Sequence, residues 1–282
     1  MAEVSRTAAG STTLTALDHR RLGTAVGEIL ATLLGAAQWS TLAWNDIKFR
    51  YRRTTLGPLW ITLGLGATVF SVGILYGGLF GNELSQYLPY FAAGLIGWTF
   101  VGSTLSEGCG TFLSAAAIIR AVPVAPAIHV CRMLTRQLIM LAHNLALMVL
   151  LWLLFQWPLG WPFLLIVPGL VLNILAVFGG VLTLSIVAAR FRDIQLIVST
   201  VLQLVFLLTP IMWEAKSLRG IAVTYVVDLN PIYHLIEVVR RPLLGETPMI
   251  ASWLAASLTA AVCLAVGSAF YARYRHRIAF WV

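Results

Sequence analysis

The sequence predicts an all-α integral membrane protein with six transmembrane helices. Of its 282 residues, 59% are hydrophobic and 11% are charged, and the mean hydropathy is +0.87. Six stretches are long and apolar enough to cross a hydrocarbon layer of about 30 Å, which takes about 20 helical residues. A soluble domain could not cover so much apolar surface with so few charges. The composition therefore excludes a secreted globular enzyme, a nucleic-acid-binding module and a disordered scaffold.

Three domains are predicted along the chain. Residues 1–25, rich in Ser, Thr and Ala, form a disordered cytoplasmic tail. Residues 26–57 contain an amphipathic helix, with apolar residues recurring at helical spacing over 26–44, and a basic segment that leads into the first span. This helix is expected to lie flat in the membrane interface. Residues 58–282 form the six-span domain, and the long polar start argues against a cleavable signal peptide.

The first span carries a repeat of small residues. Gly73, Gly77 and Gly81 recur every four residues, which favours close packing of helix backbones; a moving hinge is the alternative. The six predicted spans cover residues 58–80, 88–112, 132–156, 162–189, 194–213 and 248–271.

The distribution of basic residues predicts the orientation. Fifteen of the 19 Lys and Arg residues fall in the amino-terminal segment, the loops after spans two and four, and the carboxyl terminus. Only four lie in the long segment after span five. Because basic residues accumulate in cytoplasmic loops, both termini are expected in the cytoplasm. The net charge of +8 is then a property of this side of the membrane, and no nucleic acid partner is expected.

A basic run precedes the first span. Lys48, Arg50, Arg52 and Arg53 alternate with aromatic residues at the expected level of the lipid headgroups. The simplest interpretation is a topological anchor that touches anionic lipid.

Two ionisable residues lie inside predicted spans. Glu107 is near the cytoplasmic end of span two, from which its carboxylate can reach the interface. His143, beside Asn144, is about halfway along span three, where an interhelical hydrogen bond is favoured over a proton or substrate site. Coupling of transport to protons is therefore a weak hypothesis.

No pattern indicates catalysis, a metal site or a nucleotide site. Cys109, Cys131 and Cys263 lack metal-ligand spacing, and neither lysine follows a glycine, so the P-loop pattern is missing. The chain is therefore expected to be no enzyme and to hold no cofactor of its own.

Two hydrophilic interruptions separate the spans. The first contains a short helix over 115–121, which ends before Pro123 and Pro126; it is a lever or an ordinary turn. The second, 214–247, is an amphipathic hairpin that lies on or dips into the outer leaflet, with Asn230 as N-cap and Pro231 at the first helical position. It is a gate or a passive lid.

Three motifs carry a resemblance to a known family. Residues 46–60, DIKFRYRRTTLGPLW, resemble the start of span one in ABC-transporter permeases that export O-antigen, capsular polysaccharide or teichoic acid. Residues 209–213, TPIMW, resemble the end of their fifth span. Residues 229–240, LNPIYHLIEVVR, are similar to their periplasmic helix. The resemblance extends from about residue 27 to the carboxyl terminus.

The resemblance implies a homodimeric permease in a bacterial inner membrane, paired with two ATPase subunits that bind ATP and Mg. It would export a polyprenyl-linked polysaccharide. The alternatives are a permease for a drug or small lipid and, less favoured, a membrane enzyme of glycan or lipid metabolism.

The resemblance also assigns candidate residues to four roles. The short cytoplasmic helix would contact the ATPase through Ala115, Ile118, Ile119 and Arg120. Lys48, Arg50, Arg52 and Arg53 would contact the lipid pyrophosphate or headgroups. The candidates for the wall of the substrate path are Trp60, Phe70, Tyr76, Phe206 and Trp213. Those for the periplasmic gate are Asn230, Pro231, Tyr233, His234 and Arg240.

Overall fold

The computed structural model describes residues 22–80, 83–156, 160–213 and 224–282, and these ranges are helical without a strand. Most of the predicted tail, Gly81 and residues 214–223 of the long outer segment lie outside the described residues. The all-α prediction is confirmed for the part described. The helices are α1 Leu22–Leu34, α2 Ala36–Arg50, α3 Leu59–Phe80, α4 Leu84–Cys109, α5 Thr111–Ser114, α6 Ala116–Ala121, α7 Ala127–Phe155, α8 Ile166–Arg190, α9 Ile194–Leu208, α10 Pro231–Leu243, α11 Ile250–Tyr274 and α12 Ile278–Trp281.

Five helices in the described ranges, α3, α4, α7, α8 and α11, are long and apolar enough to cross a membrane. They match predicted spans one to four and six. The predicted fifth span contains α9, whose 15 residues make it about 22 Å long at about 1.5 Å per residue. The chain continues through 209–213 without helix. The multi-pass architecture is supported, and the sixth crossing stays a prediction.

The predicted interface helix over 26–44 is two helices in the structure. Gly35 interrupts the segment with φ −75° and ψ 40°, and separates α1 from α2. The Glu28 carboxylate on α1 accepts a hydrogen bond from Arg275, 2.7 Å away, just after α11. Glycine is a weak helix former, so a break here costs little and allows α1 and α2 to follow different neighbours. The structure corrects the expectation of one continuous helix.

The helix α4 forms the centre of the molecule and packs against α3, α7, α8, α9 and α10. Gly73 of α3 is buried against Leu88 of α4, where a Cβ would clash. This contact supports the packing interpretation of Gly73. The helices α8 and α11 also approach closely, since a Cβ at Gly179 or Gly267 would overlap the backbone of the other helix.

The helix α10 begins as predicted. The Asn230 side-chain oxygen accepts hydrogen bonds from the amides of Ile232 and Tyr233 at 3.0 and 3.2 Å, and Pro231 is the first helical residue. The helix packs against α4, α8 and α11, and most of its side chains are buried. The described helix thus packs into the molecule along most of its length, and its predicted position on or dipping into the outer leaflet stays a prediction. Glu237 and Arg240 find partners inside the molecule, which permits their burial.

Candidate functional sites

Three helices meet in a network of charges at the predicted cytoplasmic end. The Asp46 carboxylate on α2 accepts hydrogen bonds from Arg132 and Arg136 on α7, with the Arg132 Nε 2.7 Å away. Glu107 on α4 accepts from Arg136 and lies 3.5 Å from Arg50. We refer to these five residues as the inner charge cluster. It connects α2 to the ends of α4 and α7.

The charge state of the cluster follows from its contacts. Burial would raise the pKa of Asp46, but the hydrogen bonds and charges of Arg132 and Arg136 outweigh burial and hold this pKa below its ordinary value. Asp46 is therefore ionised at neutral pH. Glu107 also accepts from the Gln137 amide at 2.6 Å. Its carboxylate thus contacts donors at the end of the span, in agreement with the structural interpretation of this residue.

A pocket of about 420 Å³ opens beside the inner charge cluster. Two of its wall residues, Thr111 and His129, are 5% and 3% exposed. The Thr111 hydroxyl, both ring nitrogens of His129 and the Nε of Arg136 have no hydrogen-bond partner among the described residues. Sequence reasoning missed Thr111 and His129. In the sequence, Thr111 and His129 are polar residues on either side of the cytoplasmic loop. That pattern does not distinguish a buried side chain from one that faces water.

The structure does not gather the four basic candidates for phosphate contact. Arg50 lines the pocket and approaches Glu107. The Lys48 ammonium lies 5.7 Å from the centre of the Trp44 ring. Arg52 and Arg53 are exposed beyond the end of α2. Only Arg50 therefore belongs to the pocket.

The predicted short cytoplasmic helix is α6, and Ala115 is its N-cap residue. Ile119 is buried against the molecule, whereas Ile118 and Arg120 are exposed. Ala115 also lines the pocket, which places the start of α6 next to the inner charge cluster. The exposed pair is thus available to a partner.

A second network of charges lies inside the molecule on α10, at the predicted outer end. The Arg240 Nε donates to Glu237 at 2.8 Å, and its guanidinium carbon is 4.3 Å from the centre of the Tyr90 ring. The Arg241 Nε donates to the other Glu237 oxygen at 2.7 Å, and its Nη1 to Glu246 at 2.9 Å. We refer to Glu237, Arg240, Arg241 and Glu246 as the outer charge cluster.

Arg240 of the outer charge cluster, together with Asn230 and Tyr90, also contacts the TPIMW motif of residues 209–213. Arg240 Nη1 donates to the Pro210 carbonyl oxygen at 2.7 Å, and the Asn230 amide donates to the Thr209 hydroxyl at 2.9 Å. The Tyr90 hydroxyl donates to the Trp213 carbonyl oxygen at 3.3 Å. Two motifs that the sequence analysis treated separately therefore form one unit. The carbonyl groups freed where α9 ends receive donors from α10 and α4.

The remaining gate candidates are also packed inside this unit. The His234 Nδ1 lies 3.2 Å from the Ser252 hydroxyl oxygen, and its Nε2 lies 2.9 Å from the Asp228 carbonyl oxygen. Tyr233 is 9% exposed. These contacts give both residues a packing role in the described conformation, and a gating role stays a prediction.

The five aromatic candidates for the substrate path differ in exposure, and their shared surface stays a prediction. Trp60 is exposed, whereas Phe70, Tyr76 and Trp213 are half-buried. Phe206 pairs with Trp98 of α4, with ring centres 5.3 Å apart. Trp98 was missed because an aromatic residue within a span usually only packs.

Trp98 and Phe206 lie in a groove between α4 and α9 with a volume of about 440 Å³. Rings, hydroxyl groups and an amide share its walls. We refer to it as the α4–α9 groove; its polar and aromatic lining residues are Trp98, Ser103, Ser106, Ser199, Gln203 and Phe206.

The interhelical hydrogen bond expected near His143 is made by its neighbour. The Asn144 side-chain oxygen accepts from the Thr62 hydroxyl of α3 at 3.4 Å. His143 instead places its Nδ1 2.7 Å from the Ile139 carbonyl oxygen of its own helix.

The ABC-2 type transporter family model matches residues 37–244, a range that contains the inner charge cluster, the groove and all of the outer charge cluster except Glu246. Because the match covers most of the chain, the protein belongs to this family of membrane transport subunits. The chain is also similar to the O-antigen export system permease protein RfbA of Myxococcus xanthus, with 22% identity over 197 residues, covering 69% of this chain and 75% of that one. The resemblance to ABC permeases of the O-antigen export type is thereby confirmed at the level of the family.

Proposed function

We propose that the chain is the membrane subunit of an ATP-driven exporter that moves a polyprenyl-linked polysaccharide of O-antigen type from the cytoplasm to the periplasm. Family membership supports a permease, and the name of the Myxococcus relative supports this cargo. The observation that carries the substrate class is the α4–α9 groove, because it combines aromatic faces with hydroxyl and amide groups.

A sugar chain presents C–H faces and hydroxyl groups in alternation. The Trp98 and Phe206 rings offer apolar faces to the first, and Ser106, Ser199 and Gln203 offer hydrogen bonds to the second. Acid–base chemistry on the cargo would require a titratable side chain, and the described lining of the groove contains none. The groove therefore favours passage of a glycan over its modification.

The proposal includes a second copy of the chain and two ATPase subunits in a bacterial inner membrane, with both termini cytoplasmic. The helices α3 and α9 pack on α4 and leave long apolar faces exposed, which a second copy and lipid would cover. The exposed Ile118 and Arg120 on α6 supply a contact for an ATPase. That partner would bind ATP and Mg and supply the hydrolysis.

The test is export in cells that lack only this gene. Lipid-linked glycan should accumulate inside and disappear from the surface, as measured by labelling of surface polysaccharide. The double variant W98A/F206A should restore less than about a tenth of wild-type export, because two stacking contacts of about 1 kcal/mol each are removed.

Leu154→Ala is the control for loss of an apolar side chain elsewhere, because Leu154 is exposed on α7 and does not line the groove. It should support normal export at equal abundance in the membrane. Normal surface polysaccharide in the deletion strain would reject the proposed cargo. Accumulation of a labelled drug or small lipid would favour the alternative.

A further inference from the structure

A further pocket lies where the ends of α8 and α11 meet, at the predicted cytoplasmic end of both helices. Its volume is about 320 Å³, which is at the lower end of the range of about 300–1,000 Å³ for small-ligand sites. We refer to it as the α8–α11 pocket; its walls include Ile186, Val187, Arg190, Phe270, Arg277 and Trp281.

The α8–α11 pocket carries positive charge that its own walls do not neutralise. Arg190 and Arg277 line it, and the described lining contains no Asp or Glu. Neither arginine forms an ion pair among the described residues, whereas Arg275, two positions before Arg277, is paired with Glu28. Two unpaired guanidinium groups at one pocket favour an anionic occupant, and the arginine fork suits a phosphate group.

Aromatic rings position the guanidinium of Arg190. Its central carbon lies 5.3 Å from the centre of the Phe191 ring and 5.3 Å from the centre of the Trp281 ring. Separations within about 6 Å are typical of cation–π contacts, which orient the cation and leave its charge in place. Tyr274 adds another amphipathic ring to the walls. Such rings are enriched at the level of the lipid headgroups, so the pocket lies at the depth where a lipid carries its phosphate.

The walls of the pocket change from charged to apolar with depth in the span. Arg190 is the last residue of α8, and Ile186 and Val187 lie about one turn deeper. On the other wall, Phe270 precedes Arg277 by seven residues. An exposed apolar stripe with four-residue spacing continues from there along α11; it consists of Leu254, Leu258, Val262 and Val266. A molecule with a phosphate group and long apolar chains matches this order.

The contact between α8 and α11 prevents an occupant from passing between the two helices. A Cβ at Gly267 would lie 2.4 Å from the Gly179 carbonyl oxygen, so the two backbones touch about one turn deeper than Phe270. A bound lipid must therefore keep its chains on the exposed side of α11. This arrangement favours a resident lipid of the bilayer over a cargo in transit.

We propose that the α8–α11 pocket binds an anionic phospholipid of the bilayer, with its phosphate group between Arg190 and Arg277 and its acyl chains along the exposed stripe of α11. The pocket shares no lining residue with the α4–α9 groove or with the basic run before span one. Trp281 belongs to α12, which packs against both α8 and α6. The bound lipid therefore contacts the helix that adjoins α6.

The experiment measures binding of phosphatidylglycerol to the full chain, delipidated in detergent, by native mass spectrometry. Arg190→Gln and Arg277→Gln should each weaken binding about fivefold, and the double variant more than about tenfold, since each arginine attracts the anionic headgroup. Phosphatidylcholine should bind the wild type more weakly, because its choline offsets the charge of its phosphate. Both arginines are exposed, so the unfolding midpoint of the double variant without added lipid should equal that of the wild type.

Arg192→Gln is the matched control, because it removes the same charge from an exposed residue that does not line the pocket. It should change binding less than about twofold. Val187→Phe keeps both arginines and narrows the apolar part of the pocket, so it should also weaken binding. Equal weakening by R192Q and R190Q, or normal binding in V187F, would overturn the proposal in favour of diffuse surface charge. Equal binding of phosphatidylcholine and phosphatidylglycerol would overturn it in favour of an unselective apolar surface.

Competition identifies the source of the phosphate group. Weak competition by inorganic phosphate and by polyprenyl diphosphate supports a phospholipid of the bilayer. Displacement of phosphatidylglycerol by an equal concentration of inorganic phosphate would overturn the proposal in favour of a soluble anion. Displacement by an equal concentration of polyprenyl diphosphate would overturn it in favour of the cargo carrier.

Photoactivatable phosphatidylglycerol in nanodiscs locates the bound lipid. It should label the peptide that contains Phe270 and Tyr274 in the wild type, and this labelling should fall in the double variant. Labelling confined to other helices would overturn the proposal. The inference does not depend on the cargo, because surface polysaccharide in the deletion strain tests the proposed function and lipid binding to the purified chain tests the pocket.

Discussion

The two charge clusters share their chemistry and differ in completeness. In the outer cluster, Arg240 is 2% exposed and all three of its guanidinium nitrogens donate, two to Glu237 and one to the Pro210 carbonyl oxygen. In the inner cluster, Arg136 is 15% exposed and its Nε has no partner among the described residues. The outer cluster is thus closed and complete, whereas the inner one opens into a pocket.

This difference separates a buried connection from a partly exposed one. A buried ion pair whose donors are all used can lose a partner only at a high cost, so it fixes the geometry of α10 and the end of α9. In a partly exposed cluster, water reaches the charges that remain when one partner is removed, so the loss costs less. The comparison predicts that loss of Glu237 in the outer cluster lowers stability more than loss of Asp46 in the inner one.

The largest effect is expected from Glu237→Ala. Burial would raise the pKa of Glu237, but Arg240 and Arg241 outweigh burial and hold this pKa below its ordinary value, so the substitution leaves Arg240 as a buried unpaired charge. Loss of one partner of a buried pair costs about 3–5 kcal/mol. Thermal unfolding in detergent should show a strongly lowered midpoint or too little folded protein to measure.

The matched control for this variant is Glu246→Gln, which removes an acid that contacts Arg241 at the exposed edge of the same cluster. Its effect on the free energy of unfolding should stay below about 1 kcal/mol. Equal destabilisation by both variants would contradict the view that the buried part of the cluster carries the stability.

Sequence reasoning found the local features of these clusters and missed their long-range contacts. Asn230 was predicted as an N-cap because its partners are two and three residues away. Arg132 and Arg136 were counted only as topological charges, although they hold Asp46 across a separation of 86 and 90 residues. For α10, the sequence predicted an amphipathic hairpin on or dipping into the outer leaflet, but the contact of Arg240 with the Pro210 carbonyl oxygen, 30 residues away, follows from no periodicity.

An intermediate effect is expected from Asp46→Asn. The variant weakens three charge-assisted hydrogen bonds, two from Arg132 and one from Arg136, and should lower the free energy of unfolding by about 1.5–3 kcal/mol at pH 7. Because the folded pKa of Asp46 is lowered, its contribution is complete above the ordinary pKa of about 4 and is lost as the pH falls through the folded value.

The unfolding midpoints of the wild type and D46N, measured from pH 3 to 7, check this sign. Their difference should be constant between about pH 5 and 7 and should shrink below about pH 4. The control is Asp193→Asn, since Asp193 is an exposed carboxylate just after α8. A difference that grows on acidification would contradict the assigned contacts of Asp46.

The smallest effect on stability and the most specific effect on function are expected from Arg120→Glu. Arg120 is exposed on α6, so the change in unfolding free energy should stay within about 0.5 kcal/mol. If α6 contacts the ATPase, reversal of this charge should reduce association with that subunit and the ATP hydrolysis stimulated by cargo.

Co-purification measures the association, and ATPase activity in proteoliposomes measures the hydrolysis. The control is Arg192→Glu just after α8, which changes the charge by the same amount. Normal coupling in R120E would leave α6 as a connecting turn, and the inner cluster would then need another route to the ATPase.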